Sequence, residues 1–315
     1  MKVIIAGGSG HVGAVLRRKF ATVDHEVVVL SRRARAATGG CRVVPWDGRT
    51  VGDWTQEVDG ADVVINLAGR SVDCRYGAKN LGEMLESRLW STTAIGRAIA
   101  QAARPPRVWL QAATATIYAH RFDAANDEAS GIIGGDEPSA PPKWNASVAI
   151  ARAWEEAVDT VETPHTRKVI LRSAMVMSRD RGSVFDVLAT LARRHLGGTI
   201  GDGRQFVSWI PEHDFATAIQ FLIDRADIAG AINVCAPNPL PNAAFMRDLR
   251  TAVNRRWGLP TPGPLLELGC WALRTESELV LKSRRVVPGR LQAAGFEFTH
   301  PTWSGAAQAL VVAQK

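Results

Sequence analysis

Two patterns alternate along the chain. Short, largely apolar runs recur at 3–6, 27–30, 42–46, 61–67, 107–113 and 169–176. Runs that are apolar at consecutive positions suit strands covered on both faces, as in a parallel sheet. Between and after them, apolar positions recur at helical spacing over 12–20, 81–103, 147–158, 242–256 and 265–281. Strands alternating with helices predict βαβ units and a doubly wound parallel α/β sheet. The stretch 123–143, rich in Gly, Pro and Asp, is expected as a surface loop. Proline-rich punctuation before 242 and again at 260–264 marks a change of organisation. We expect a sheet domain over 1–235 and a small C-terminal substrate or lid domain over 236–315.

The first strand-to-helix junction carries the clearest chemistry. The apolar run at 3–6 leads into Gly7-Gly-Ser-Gly-His-Val-Gly13. One glycine permits the tight turn, the next lets the backbone approach a pyrophosphate, and the last lets helix pack on strand. The helix N-terminus then offers unpaired N–H groups to an anion. Gly7, Gly8, Ser9, Gly10, His11, Val12 and Gly13 therefore form the candidate phosphate loop of a Rossmann-type domain, the alternative being a plain tight turn. After the second strand come Ser31, Arg32 and Arg33, without an acid. A carboxylate there would hold a ribose 2′-hydroxyl, whereas a guanidinium pairs with a 2′-phosphate. The expected cofactor is NADP(H); the alternative is a pair of solvated loop arginines. Asp47, ending the third strand, is placed to face the adenine amino group. Leu67, Ala68 and Gly69, ending the fourth, are small enough to let the backbone pass close to a cofactor.

Composition narrows the class. At 315 residues and 46% hydrophobic, the chain can bury a large core. It opens on a strand without a signal-peptide pattern, and no apolar run reaches membrane-spanning length, so no membrane role is expected. Cys41, Cys74, Cys235 and Cys270 lie far apart, without metal-ligand spacing, and read as reduced thiols of a cytoplasmic protein. The net charge of +7 favours anionic ligands. The basic residues are scattered, without aromatic interleaving, which argues against nucleic acid.

Taken together, the glycine loop, Asn66-Leu-Ala-Gly69 and a fifth strand running to Thr114-Ala-Thr-Ile-Tyr118 resemble an extended short-chain dehydrogenase/reductase. Ser87-Arg88 with Thr92, Ala153-Trp-Glu-Glu156, Gly201-Asp-Gly-Arg204 with the run to Ile210, and Val286-Val-Pro-Gly-Arg290 with the run to Phe296 narrow the resemblance. The subgroup is that of epimerase family proteins similar to nucleoside-diphosphate-sugar epimerases with a short C-terminal domain of unassigned function. The resemblance implies that Arg88 borders the cofactor and that Thr114 hydrogen-bonds the reacting oxygen. It also implies a Tyr-x-x-x-Lys pair on the following helix. This chain has Ser147 and Ala151 at those positions. Its two tyrosines, Tyr76 and Tyr118, begin no such motif. Tyr118 is the remaining phenol expected near the nicotinamide, as substitute acid or as packing aromatic; His120 and His213 are further candidates for proton transfer. Arg204 is either a ligand for a substrate anion or a solvated arginine, and Trp257, Trp271 and Trp303 are exposed-looking residues of a cleft or interface.

Two functions remain open. One is an NADP-dependent oxidoreductase or epimerase-like enzyme, monomeric or homodimeric, acting on a small carbonyl, hydroxyl or sugar-nucleotide substrate. The other is an NADP(H)-binding sensor or scaffold that has lost catalysis.

Overall fold

The computed structural model describes residues 1–22, 24–32, 40–138, 140–272 and 274–312. Arg33, one of the expected 2′-phosphate ligands, lies outside the described residues. In chain order the elements are β1 Lys2–Ala6, α1 His11–Phe20, β2 Glu26–Ser31, β3 Cys41–Pro45, β4 Val63–Asn66, α2 Ala78–Gln101, β5 Val108–Thr114, α3 Asn145–Asp159 and β6 Arg167–Ser173. There follow β7 Met175–Met177, α4 Val184–Arg193, β8 Phe206–Val207, β9 Trp209–Pro211, α5 Glu212–Asp224, β10 Gly230–Val234, β11 Leu240–Pro241 and α6 Asn242–Ala252. The chain ends with α7 Gly263–Ala272, α8 Glu278–Leu281, α9 Gly289–Ala293 and α10 Trp303–Val312.

Seven strands form one parallel sheet in the order β10-β6-β5-β4-β1-β2-β3. The apolar runs are buried on both faces because helices cover both: Val3, Ile5, Val27 and Val29 pack under α1 and α5, while Ile4, Val28, Val64 and Trp109 pack under α2 and α3. Strand order reverses between β1 and β4, and in open α/β sheets ligands bind outside the carboxyl ends of the strands at such a point.

A further core gathers α4, α6 and α10 around Trp209 and Trp303. Trp303 is only 2% exposed: it stacks on Phe245 with centroids 4.1 Å apart and donates its indole N–H to the Phe245 carbonyl. Trp303, exposed-looking in the sequence, thus fills an interface, whereas Trp257 and Trp271 are exposed at 56% and 70%. A tryptophan in a stretch of small residues reads as isolated until its partners, all distant in sequence, are known. The core also draws Met177, Phe185 and Trp209 together with Phe245 and Leu310, so packing runs across residue 235. The helical stretch expected over 265–281 is two helices, α7 and α8, separated by a polar turn. Nor is 123–143 a free loop. Asn126 is fully buried and bridges Val286, and the Glu128 carboxylate accepts from the N–H groups of Asn233 and Arg290.

Candidate active site

At the carboxyl end of β1, the glycine loop is held by its own backbone. Gly7 adopts φ +73° and donates to the Leu30 carbonyl; a Cβ on it would lie 2.8 Å from the Ala68 backbone. A Cβ on Gly8 would meet Ile5 and Val29 at 3.0–3.1 Å, and one on Gly13 would lie 2.5 Å from the Gly8 backbone. Three glycines are therefore required by the protein itself. Gly10 differs: its Cβ would meet only the Gly7 carbonyl, at 3.7 Å. It is the N-cap of α1, whose N-terminus no side chain caps and whose first turn carries no acid. A glycine that the fold does not need, at an open helix N-terminus, fits a site for a pyrophosphate.

The β4 loop lies against this turn. Leu67 N–H bonds the Ala6 carbonyl, Ala68 N–H bonds the buried Asn66 side chain, and Asn66 is held in turn by Gln111. Arg88 supports the loop from behind. It is buried, donates to the carbonyls of Arg70 and Met84, and lies over the Trp154 ring. Burial without an acidic partner pulls its guanidinium down to about 10. At the end of β2, Ser31 is buried with its hydroxyl 3.4 Å from that of Ser9, and Arg32 is exposed. Asp47 ties its own turn: its carboxylate accepts from the N–H groups of Arg49 and Thr50 and from the Thr50 hydroxyl.

Beyond β5, Thr114 is half-buried, and its Oγ1 accepts the Thr116 N–H 3.1 Å away. No acceptor among the described residues takes its hydroxyl proton, which remains available to an oxygen in the cleft. Tyr118 is turned into the core at 2% exposure. Its hydroxyl donates to Asn233 Oδ1 and accepts from Arg172, both at 2.9 Å, and burial pushes the phenol up. His120 is buried with Nδ1 accepting from Ser283 N–H, and burial lowers its basicity. The exposed His213 sits on α5 beside Asp214, and Arg204 is exposed over the Phe122 ring.

Ser147 and Ala151 are one turn apart on α3. Ala151 packs with Ala115, Ile117 and Tyr118, so this face of α3 looks onto the end of β5. The polar groups that meet it come from 276–284, a segment whose chemistry the sequence pattern did not reveal. Glu276 accepts from Lys143 and from the Tyr76 N–H. Glu278, fully buried, lies 2.5 Å from Ser147 Oγ. Lys282, 2% exposed, donates to the Thr116 carbonyl. Arg284 donates to Thr116 Oγ1 and to the carbonyls of Glu278, Leu279 and Lys282. The glycine loop and β4 loop thus meet at the carboxyl ends of β1 and β4, and α3 meets the 276–284 segment beside the end of β5. Among the described residues no cluster of metal-ligating side chains occurs, and no helix is long and apolar enough to cross a membrane.

Residues 3–235 match the model of the NAD dependent epimerase/dehydratase family. The chain belongs to that family. A second match, to a domain of unknown function (DUF1731), covers 261–310. Among similar epimerase family proteins, YfhF of Bacillus subtilis is 31% identical, over 100% of this chain and 99% of that protein, and SDR39U1 of Bos taurus is 30% identical, over 99% and 100%. The crystal structure of human SDR39U1 (isoform2) with NADPH superposes with a TM-score of 0.84 at 27% identity, covering 99% of both chains. A nucleoside-diphosphate sugar epimerase from Corynebacterium glutamicum matches with a TM-score of 0.75 at 27% identity, over 99% of this chain and 58% of that one.

In this epimerase/dehydratase family member the residues that sequence reasoning missed are Tyr76, Glu276, Glu278, Lys282 and Arg284. A signal was present: Glu276 and Glu278 lie within the apolar run over 265–281 that is read as a docking helix, and Lys282 and Arg284 follow directly after it. Charges in or beside an apolar run demand partners; here Glu278 and Lys282 pair with each other, while Lys143, Ser147 and Thr116 come from more than a hundred residues away.

Proposed function

We propose that the protein is an NADP(H)-dependent oxidoreductase, or an epimerase-like enzyme using the same hydride chemistry, on a small carbonyl, hydroxyl or sugar-nucleotide substrate. The observation that carries the reading is Gly10. It is a glycine free of steric demand from the protein, at an uncapped helix N-terminus, at the point where the sheet order reverses. Gly7, Gly8, Ser9, Gly10, His11, Val12 and Gly13 would hold the pyrophosphate, Arg32 with the Arg33 that follows it in sequence would pair with the 2′-phosphate, and Leu67, Ala68 and Gly69, in a loop fixed by Arg88, would lie along the nicotinamide half. When bound, the nicotinamide supplies or accepts a hydride. Thr114 directs its free hydroxyl proton at the reacting oxygen. Tyr118 orders the end of β5 by bonding Asn233 and Arg172. The segment from 236 onward forms the substrate side of the cleft.

Titration of the protein's tryptophan fluorescence with NADPH and NADH tests this. NADPH is expected to bind about tenfold more tightly, an effect lost in Arg32→Ala, because a charge-assisted pair contributes about 1.5–3 kcal/mol. Equal affinities in the unmodified protein would overturn the cofactor assignment. The sensor reading rests on Ser147 and Ala151 standing where Tyr and Lys are expected. Tight NADPH binding without turnover across a panel of carbonyl compounds would favour it.

A further inference from the structure

We propose that the proton for the substrate oxygen is delivered by the Ser147 hydroxyl, which is recharged by the carboxyl group of Glu278 behind it. The proposal rests on the oxidoreductase reading and supplies the acid which that reading lacks.

A count of protons at Ser147 carries it. Ser147 Oγ lies 2.9 Å from the Trp144 carbonyl and 2.5 Å from Glu278 Oε1. The carbonyl can only accept, and the hydroxyl has one proton to give. If Glu278 were ionised it too could only accept, and one proton would have to serve two acceptors. If Glu278 carries a proton, both contacts are made: carboxyl to hydroxyl, hydroxyl to carbonyl. The surrounding cations make no short hydrogen bond to the carboxyl group. Lys282 Nζ pairs with Glu278 Oε1 at 3.7 Å, four residues along the chain, and directs its hydrogen bond to the Thr116 carbonyl. Arg284 directs its donors at Thr116 Oγ1 and at backbone carbonyls. Glu278 Oε2 has no hydrogen-bond partner among the described residues. The shortest contact of the carboxyl group is thus the one to Ser147, not one to a cation. Burial, the largest influence, raises Glu278 above the ordinary carboxylate range; Glu276 adds to this, while Arg284, Ser147 and Lys282 oppose it. Tyr76, in the loop before α2, is the remaining titratable group close enough to feel the Glu278 charge.

Ser147 is placed to pass the proton on. It is half-buried, at the α3 position where the resemblance puts the acid, one turn before Ala151, which packs on Ala115, Ile117 and Tyr118 just past β5. The balance is simple. As a hydride adds to the carbonyl carbon, the C=O π pair becomes a lone pair on oxygen. That pair takes the Ser147 proton, and Ser147 takes the Glu278 proton. The resulting carboxylate is left beside Lys282 and Arg284 until solvent reprotonates it. In the oxidation direction every transfer reverses. Lys282 and Arg284 are positioning residues: they hold Thr116 and lower the cost of the transient carboxylate.

Infrared titration of the protein without cofactor tests the pair directly. The C=O stretch of a protonated carboxylic acid is expected at neutral pH, absent in Glu278→Gln and shifted in Ser147→Ala. No such band, or a band unchanged by Glu278→Gln, overturns the proposal. On a carbonyl compound that the unmodified protein reduces, both substitutions should lower kcat by about 10²–10⁴-fold with KM little changed. Glu278→Gln should also abolish the alkaline limb of the kcat profile. A full kcat in Ser147→Ala overturns the relay. Thermal melts of the two variants, which alter few atoms, show that the fold is kept. NADPH that fails to bind the unmodified protein sinks the oxidoreductase reading, whatever the infrared band shows. A missing band in a protein that binds NADPH sinks the relay alone.

Discussion

The glycine loop and the 276–284 segment both lie at the carboxyl edge of the sheet, yet they are built from opposite materials. The loop is nearly all backbone: Gly7, Gly8 and Gly13 are fixed by contacts of 2.5–3.1 Å that any side chain would violate. The segment works through its side chains, with Glu276, Glu278 and Lys282 each buried to 3% exposure or less. In the first wall Gly7, Gly8 and Gly13 leave little room for an added atom, whereas Gly10 does. The second tolerates changes of shape far better than changes of charge, because a buried polar group without a partner costs more than a small void.

The largest expected effect lies on the first wall. Gly13→Ala places a methyl 2.5 Å from the Gly8 backbone, with no flexible side chain able to give way. Overpacking of this kind costs about 1–3 kcal/mol, and NADPH binding should be lost with the loop's shape. Gly10→Ala is the control, since its methyl meets protein only at 3.7 Å. Its melting temperature should match that of the unmodified protein while NADPH affinity falls. If Gly10→Ala unfolded the protein and Gly13→Ala did not, the division of roles within the loop would be wrong.

The second wall is probed by Lys282→Met, which keeps length and removes charge. Burial is the main cause that pulls Lys282 down to about 8. In the unfolded chain the ordinary value is about 10.4. Between these values the unfolded state binds more protons, so the unfolding free energy of the unmodified protein rises with pH, and the burial cost is fully present below about 8. Lys282→Met removes that slope. Its stability relative to the unmodified protein should therefore be highest at neutral pH and fall by about 3 kcal/mol across the window. Urea midpoints measured at several pH values check this; parallel curves would refute it.

The smallest effect concerns Tyr118, which belongs to neither wall. Tyr118→Phe leaves Asn233 Oδ1 and one Arg172 donor without their phenol partner. A loss of about 1 kcal/mol is expected, seen as a lowered melting temperature, with the pH profile of kcat unchanged. A changed profile would move the proton donor to the phenol.

Legibility followed the same division. The sheet could be read because strands buried on both faces are apolar at consecutive positions, and Val3, Ile4 and Ile5 show no exposure at all. The tight glycine turn could be read because part of its constraint is local: Gly8 and Gly13 meet within one turn of chain. The second wall could not. Glu278 and Lys282 pair with each other four residues apart, but their hydrogen-bond partners are distant, and the run around them looks like a docking helix until Ser147 and Thr116 arrive from elsewhere. Which surface Trp303 fills could not be read for the same reason, since the Phe245 ring that covers it is 58 residues away.

Those separations also set an order of assembly. Ser147 and Glu278 are 131 residues apart, Thr116 and Lys282 166, and Tyr76 and Glu276 200, whereas β1 and β2 pair at a separation of 24, as Lys2 with Glu26. Contacts that close long stretches of chain form late, because the entropy of closure must be met before they add stability. During synthesis the nucleotide half can therefore organise while the residues after 276 are still being added. A chain arrested or clipped just before that point would resemble a finished cofactor binder while lacking half of its acid–base machinery.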